Sequence, residues 1–357
     1  MKMIALTMAA LCLTACAPAA PSLGLFAQQD DVGPVPAAGS ADYDAATGVY
    51  RVTGGGRDIW AKSDDFHFVS KPVTGDMTIA ATLSWVTDSG DPHRKAGLMM
   101  RQSLDADSPY ADIVVHGNHH IALQYRETKG GDTHEIEAIL HGPGHFALER
   151  EGDYVYMSVA GPDGVLHHAG GGYKVKLTGP YYVGLAVCAH DDKITKTVDF
   201  SDVTMTVPPP AATGRFESTI ETIDAVSSYR AVVYTAPGVI TAPVWSSDGK
   251  SIAFAEDGQA YSVAIPTEGG PATEPVLQPG AAPKESSAAN FPSPDGKSVA
   301  SLTPLQAPAD QTITMAPASG GAPDVLTSFS GGPGSTSASP WSPDGKRLVF
   351  VSYRPVP

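Results

Sequence analysis

The sequence predicts an all-β protein in two parts. Residues 41–206 are expected to form a two-sheet sandwich, because apolar and polar residues alternate there in short runs, the period of a strand with one buried face. Residues 215–357 are expected to form a partial β-propeller, because one turn phrase recurs there three times. The chain also contains 37 Gly and 31 Pro, which suits short strands joined by many turns.

Length and charge limit the classes of function. A chain of 357 residues is long enough for more than one domain. Its formal net charge of −15 argues against nucleic acid or an anionic membrane surface as a partner. No interior segment is long and apolar enough to predict a transmembrane helix.

The N-terminus reads as an export signal. Lys2 precedes an apolar stretch, residues 3–13, which is too short to span a bilayer. Residues 13–16, Leu-Thr-Ala-Cys, resemble a bacterial lipobox, which implies a lipoprotein signal peptide over residues 1–16 and a lipid on Cys16. The alternative is an ordinary signal peptide cut at a nearby Ala.

The resemblance also implies a location. Ala17 follows the lipobox Cys, which favours the outer membrane of the cell envelope, with contact to the membrane only through the lipid. Residues 17–40, rich in Ala, Pro, Gly and Gln, are predicted to be a flexible tether. Cys188 lies in an apolar run and is predicted to be an inert core thiol.

Three phrases of the sandwich segment resemble a known fold family. Residues 58–69, 95–101 and 182–190 are similar to the concanavalin A-like, laminin-G-like jelly roll. The resemblance spans nearly the whole segment and implies a domain often found beside bacterial glycan-active modules. It does not by itself imply catalysis.

The repeated phrase resembles the TolB-type (WD40-like) propeller repeat. Residues 245–250, 292–297 and 341–346 read Trp-Ser-Ser-Asp-Gly-Lys, Pro-Ser-Pro-Asp-Gly-Lys and Trp-Ser-Pro-Asp-Gly-Lys, and each precedes a short apolar run. The Asp of each phrase is predicted to be a turn former. The proline-rich residues 207–214 are predicted to link the two parts. About three blades are fewer than the four to eight of a closed ring, so a truncated propeller and a ring completed by two copies both stay open.

Candidates for catalysis are few. All eleven His precede residue 191, which excludes a His-ligated metal or a His base from the blades. Glu135 and Glu137 are two residues apart on a predicted strand and would share one face roughly 7 Å apart, a spacing that suits glycosidase carboxylates. Position 139 is Ile, which departs from the usual third acid of jelly-roll glycosidases. The alternative is a solvated strand face, and no catalytic residue is assigned.

Metal sites were weighed in the same way. His116, His119 and His120 lie close together but flank a loop, and His167 and His168 lie in a Gly-rich turn, so exposed loop ends are the simpler interpretation. Calcium could bind carboxylates of four loop aspartates, Asp88, Asp91, Asp105 and Asp107, but their spacing matches no dedicated calcium loop. The sequence therefore predicts no metal and no cofactor.

A polar face supports ligand binding better. By alternation it would include Thr82, Ser84 and Asp112 beside several of the predicted ligand-binding residues, if the strands are neighbours in one sheet. An aromatic ring at its rim would stack on a sugar. The predicted ligand-binding residues are Trp60, His67, Arg101, Tyr110, His116, Gln124 and Arg126. The alternative is the ordinary wet face of an antiparallel sandwich.

These patterns lead to one functional hypothesis and two competing ones. The first is a non-catalytic lipoprotein of the cell envelope that binds glycan through the sandwich, an envelope protein through the propeller, or both. The second is a hydrolase or lyase acting on polysaccharide, with the sandwich as its targeting module. The third is a truncated TolB-like protein in which only the sandwich works.

Overall fold

The computed structural model describes residues 22–141, 144–161, 164–169, 172–209, 215–266, 273–286, 288–304, 310–332 and 334–356. The predicted signal peptide with Cys16 and the last five residues of the predicted linker, 210–214, lie outside these ranges. Within these ranges all the regular secondary structure is β-strand, which confirms the all-β prediction. Among the described residues no helix could cross a membrane.

The first half holds seventeen strands. They are β1 (Gln28–Val32), β2 (Ser40–Asp44), β3 (Val49–Gly56), β4 (Ile59–Trp60), β5 (Ser63–Asp64), β6 (Phe66–Val73), β7 (Met77–Trp85), β8 (Lys95–Arg101), β9 (Tyr110–His116), β10 (His120–Arg126), β11 (His134–His141), β12 (His145–Glu151), β13 (Tyr154–Ala160), β14 (Leu166–His168), β15 (Tyr173–Lys174), β16 (Tyr181–Cys188) and β17 (Asp191–Thr206).

The second half holds eleven strands. They are β18 (Phe216–Asp224), β19 (Arg230–Pro237), β20 (Ile240–Trp245), β21 (Ser251–Glu256), β22 (Gln259–Ala264), β23 (Val276–Leu277), β24 (Asn290–Pro292), β25 (Ser298–Pro304), β26 (Asp310–Pro317), β27 (Asp324–Ser330) and β28 (Arg347–Pro355).

Two sheets form the predicted sandwich. One runs β1-β6-β16-β8-β9-β10-β11, and the other runs β14-β13-β12-β7-β17-β3-β2, with β15 beside β13. One apolar core lies between them, filled from the first sheet by residues such as Leu98 and Ile113 and from the second by residues such as Ile79 and Phe200. Each fully buried side chain of this size contributes about 1.5–3 kcal/mol relative to its exposed state. The alternating pattern therefore exists because one face of each strand fills this core.

The first strand corrects the predicted tether over residues 17–40. Residues 28–32 form β1 and pair with β6, with Gln28 opposite Ser70. Val32 is buried, and Asp31 lies 2.8 Å from the ring nitrogen Nδ1 of His67. The composition of the segment predicted flexibility. The backbone N–H and C=O groups of residues 28–32 instead form hydrogen bonds with β6, and the sequence pattern does not reveal this pairing.

The three repeated phrases form identical turns. In each, the Ser hydroxyl contacts the Asp carboxylate, at 2.7 Å between Ser246 Oγ and Asp248 Oδ1 in the first. The same Asp oxygen accepts the backbone N–H of the Lys two residues later. The Gly of each phrase has φ near 70°, a left-handed conformation that favours Gly. The aspartates are therefore turn formers, as predicted.

The turns build three blades, the third of which uses strands from both ends of the half. The first blade is β20-β21-β22-β23 and the second is β24-β25-β26-β27. In the third, β28 pairs with β18, which pairs in turn with β19. The third blade lies between the other two, because separate apolar clusters join it to the first and to the second. Two indole N–H groups reinforce this order: Trp245 donates to Pro340 O at 3.0 Å and Trp341 donates to Phe291 O at 2.9 Å.

The two halves share one sheet. Strand β19 pairs in parallel with β11, with Ile136 opposite Arg230 and Glu137 opposite Ala231. The sandwich sheet therefore continues through β19 and β18 to β28 and has ten strands. The propeller half is consequently not a separate body on a linker.

A buried ion pair lies next to the joint, on its propeller side. Arg230 and Glu221 are both fully buried, with 2.5 Å between Arg230 Nη2 and Glu221 Oε2. Ser352 of β28 donates to the other Glu221 oxygen, and Thr327 of β27 accepts from Arg230 Nη1. One guanidinium–carboxylate pair therefore connects four strands of two blades.

Removing the charge of Arg230 tests the contribution of this ion pair. Arg230→Met keeps the length of the side chain but leaves Glu221 buried without its partner, which is expected to lower the free energy of unfolding by about 3–5 kcal/mol. Urea titration of the full chain measures this value. Arg215→Met, at an exposed arginine, is the matched control. A loss below about 1 kcal/mol would show that the pair contributes no more than an exposed salt bridge does.

Candidate functional site

The outer face of the sandwich sheet carries polar side chains in rows. Arg101, Tyr110 and Arg126 are cross-strand partners in β8, β9 and β10. One row along, Asp112 lies opposite Gln124 and Gln124 opposite Glu135. His116 lies on the same face, beside His120 at 5.1 Å between ring centroids. Five of the seven predicted ligand-binding residues therefore do share one face: Arg101, Tyr110, His116, Gln124 and Arg126.

This face is not an open floor, and that part of the prediction is wrong. The hairpin of β4 and β5 covers it, and Arg101, Tyr110 and Arg126 have no exposed surface. Asp64 of β5, also fully buried, lies 2.7 Å from Arg126 Nη2 and 3.4 Å from Arg101 Nη1. Two guanidinium groups thus hold one carboxylate of the hairpin, so these arginines are inaccessible to a ligand in this arrangement.

Three residues expected on the same face lie elsewhere. His67 is in register with Val187 and Ala96, which belong to the apolar core, so it faces the sandwich interior. Thr82 and Ser84 are on β7 in the other sheet. Thr82 contacts His145 and Asp202 there.

A cleft opens where the sandwich meets the third blade. Its volume is about 570 Å³. The sandwich side contributes Trp60, Glu135 and Glu137, and the propeller side contributes Tyr229 and Arg347 among others. Trp60, one of the predicted ligand-binding residues, is 36% exposed at this edge. The Lys95 Nζ lies over the Trp60 ring, 5.1 Å from the ring centroid.

His120 bridges the two cleft carboxylates. Its Nε2 is 3.1 Å from Glu135 Oε1, and its Nδ1 is 3.4 Å from Glu137 Oε1. Both glutamates project from the same face of β11, as the spacing of two residues predicts. Gln124 Nε2 donates to the second oxygen of Glu135 at 2.6 Å. These contacts fix the orientation of both carboxylates.

The bridge is charged. Burial opposes protonation of His120, but hydrogen bonds to Glu135 and Glu137 raise its pKa to about 9. Burial likewise acts to raise the pKa of both glutamates, yet the contact with His120 holds each pKa below its ordinary value. The site near neutral pH is therefore one imidazolium between two carboxylates, with a net charge of −1.

The neighbouring His116 is in the opposite state. Burial, together with the nearby Lys95 ammonium, lowers its pKa to about 3. Its Nδ1 lies 3.2 Å from the backbone oxygen of His120. His116 is thus a neutral side chain that supports the backbone of the charged one.

The residues considered for metal binding have other contacts. His119 lies 3.7 Å from Asp88, and His168 lies 2.5 Å from Glu217 across the joint. The loop aspartates meet protein groups: Asp88 contacts Arg94, Asp91 accepts the backbone N–H of His93, and Asp105 and Asp107 contact Lys129. Within the described ranges no group of three or more His, Cys, Asp or Glu side chains has an arrangement that could hold a metal ion.

Cys188 is the core thiol that the sequence predicts. It is fully buried, and its Sγ lies 3.4 Å from Gly56 O. Burial raises its pKa to about 12, which disfavours the reactive thiolate.

Sequence reasoning missed His120 and Asp64. In the sequence His120 stands among several histidines at loop ends. It nevertheless lies two residues before Ala122 and four before Gln124, so it shares one face of the strand with them. Asp64 carries no comparable signal, because a two-residue strand has no period to read.

Comparison with known proteins gives fold likeness alone. No family model matches the chain, and no curated protein matches it. A functionally unknown protein from Saccharomyces cerevisiae is similar in structure, with a TM-score of 0.39, 16% identity, and coverage of 48% of this chain and 93% of that one. The seed lectin of Lotus tetragonolobus has a TM-score of 0.30, 9% identity, and coverage of 48% and 93%. A TolB candidate from Agrobacterium tumefaciens has a TM-score of 0.18, 14% identity, and coverage of 74% and 99%. At these scores the likenesses say nothing about what this chain binds.

The charged bridge predicts a pH-dependent stability. Because the pKa of His120 rises from 6.5 to about 9 on folding, its contribution is fully present below pH 6.5 and is lost as the pH rises through 9. His120→Gln should therefore cost most at low pH, and the difference from wild type should shrink by on the order of 3 kcal/mol by alkaline pH. Urea titrations at a series of pH values measure it, with His93→Gln at an exposed histidine as control. A difference that stays constant with pH would contradict the charged bridge.

Proposed function

We propose that the chain binds a glycan in the cleft between the sandwich and the third blade, without cleaving it. The observation that carries this proposal is the pair of fixed, ionised carboxylates, Glu135 and Glu137, on the wall of a cleft of about 570 Å³. Ionised carboxylates accept strong hydrogen bonds from hydroxyl groups, and a fixed pair gives directional recognition. Trp60 at the rim supplies an aromatic surface for a sugar ring.

The protonation states favour binding over hydrolysis. Glycosidases need one carboxylic acid that stays protonated to donate to the leaving group, beside a second that is ionised. Here the contact with His120 holds the pKa of both Glu135 and Glu137 below the ordinary value, despite burial. His120 is committed to the same two groups, so neither glutamate is poised as a general acid.

Charge narrows the class of ligand. The carboxylates outnumber the imidazolium between them, so a polymer of uronic acids would meet repulsion at this wall. A neutral glycan, or one that carries amino groups, would not. Among the seven residues predicted to bind ligand, direct contact is therefore proposed for Trp60, while Gln124 acts by holding Glu135.

Binding to a protein is the second candidate, and it rests on a different surface. Strand β23 is the outer strand of the first blade, and its Val276 and Leu277 are 61% and 58% exposed. An exposed apolar edge strand can accept a further strand from another chain. This edge does not take part in the cleft.

The glycan proposal is tested by retention of the full chain on three polysaccharides of different charge. Retention is expected on chitosan or on xyloglucan and not on polygalacturonate, without release of new reducing ends. Glu137→Gln should weaken binding about ten- to hundredfold, because a hydrogen bond to a charged group contributes about 1.5–3 kcal/mol.

Two controls make the test decisive. Glu274→Gln, at an exposed glutamate of the propeller half, should leave retention unchanged. Trp60→Ala should weaken retention without a new cleavage activity. Retention that survives both Glu137→Gln and Trp60→Ala would place binding outside the cleft, and release of reducing ends would identify an enzyme.

We also propose that the chain is an exported lipoprotein anchored through Cys16. The support is the sequence of residues 2–16, which lie outside the described residues. Cys16→Ser should move the protein from the membrane pellet to the soluble fraction, because the acyl chains that hold it in the bilayer are lost. Cys12→Ser, within the apolar stretch, is the matched control. Membrane association that persists in Cys16→Ser would refute the anchor.

A further inference from the structure

Three buried side-chain oxygen atoms beside Glu135 lack a hydrogen bond of ordinary geometry, although the backbone N–H of Gln124 is close enough to act on one of them. They are both carboxyl oxygens of Asp112 and the side-chain oxygen Oε1 of Gln124. The two residues are direct cross-strand partners in β9 and β10 and project from the same face. Side chains so placed have Cβ atoms about 4.5–5.5 Å apart, within reach of a hydrogen bond between them.

The orientation of the Gln124 amide is fixed by its other neighbour. Glu135 is a hydrogen-bond acceptor when ionised, so the amide must turn its Nε2 towards it, as the 2.6 Å contact shows. The amide oxygen of Gln124 then cannot be exchanged with the nitrogen. It must point away from Glu135 and needs a donor.

An ionised Asp112 cannot supply that donor, because a carboxylate only accepts. It would bring three oxygens together with no proton between them, at a high desolvation cost. A protonated carboxyl has one O–H to give.

We propose that Asp112 is a neutral carboxylic acid that donates its O–H to Gln124 Oε1. Asp112, Gln124, Glu135, His120 and Glu137 then form one continuous hydrogen-bonded chain from the sheet interior to the cleft. Asp112 touches no ligand. It is a positioning residue that acts on Glu135 through Gln124.

The charged surroundings of Asp112 agree with this state. Burial raises its pKa well above the ordinary value, and the nearby Asp64 of β5 and Glu135 of β11 act in the same direction. The Lys95 ammonium of β8 and the backbone of Gln124 act against them and are outweighed. Lys95 has other partners, since its Nζ donates to Asp58 at 2.7 Å and to Ile59 O at 2.8 Å.

The neutral acid can be observed directly in the full-length protein. The infrared difference spectrum of wild type minus Asp112→Asn, at neutral pH, should contain the C=O band of a protonated carboxyl, and that band should shift in D2O. A carboxylate band in its place would overturn the proposal. This measurement uses no glycan, so it tests the protonation of Asp112 independently of the proposed function. Only the effect of Asp112 on ligand binding by Glu135 rests on that function.

Stability gives a second test with a defined sign. A raised pKa in the folded state contributes stability that is present at low pH and is lost as the pH rises. Because Asn cannot ionise and its N–H can also donate to Gln124, Asp112→Asn should keep the fold and gain in melting temperature relative to wild type as the pH rises from 4. Asp112→Ala, which lacks the donor, should lose melting temperature throughout. Wild type gaining on Asp112→Asn with rising pH would show an ionised Asp112.

A bound cation is another way to satisfy these three oxygens. Calcium chloride would then raise the melting temperature of wild type and leave Asp112→Asn unchanged, which would also overturn the proposal. We expect calcium to affect both proteins equally.

Discussion

The parallel pairing of β11 with β19 determines what the candidate site can be. Without it, β11 would be the free edge of the sandwich, and Glu135 and Glu137 would face water on that side. With it, the carboxylates become one wall of a cleft whose other wall comes mainly from the third blade. The pairing is short, and the fully buried Arg230–Glu221 pair lies on its propeller side, where it contacts two further strands. The cleft therefore has walls from both halves, and neither half contains it by itself.

The outer face of the sandwich sheet also buries charged groups, and these are paired with one another. Rows of charged and polar side chains lie under the hairpin of β4 and β5, where water cannot satisfy them. Asp64 neutralises part of the charge of Arg101 and Arg126, and His120 separates Glu135 from Glu137. Opposite charges alternate across the layer, which is the arrangement that makes a buried polar network tolerable. The same hydrogen bonds and ion pairs fix the side chains of Glu135 and Glu137 on the cleft wall.

Much of this fold could be predicted from the sequence, because strand period and turn chemistry are local. The alternation placed Arg101, Gln124 and Arg126 on one face, and the repeated phrase located each blade turn. The prediction from alternation failed where both faces of a strand are buried. Phe66 and Phe68 alternate with His67, but the two Phe rings lie under the hairpin of β4 and β5, while His67 faces the sandwich core. Period alone cannot say which side is which. The covering hairpin and the shared sheet depend on contacts between distant residues, which no local pattern records.

The third blade has a consequence for how the chain reaches its native state. Strand β18 needs β28 as its neighbour, and some 120 residues that include two complete blades lie between them. A chain synthesised from its N-terminus must therefore hold β18 with an unpaired edge until the last repeat has emerged, and closing so long a loop is slow. During that interval β18 is open to pairing with another copy. The pairing of β18 with β28 is thus also the step at which folding competes with aggregation.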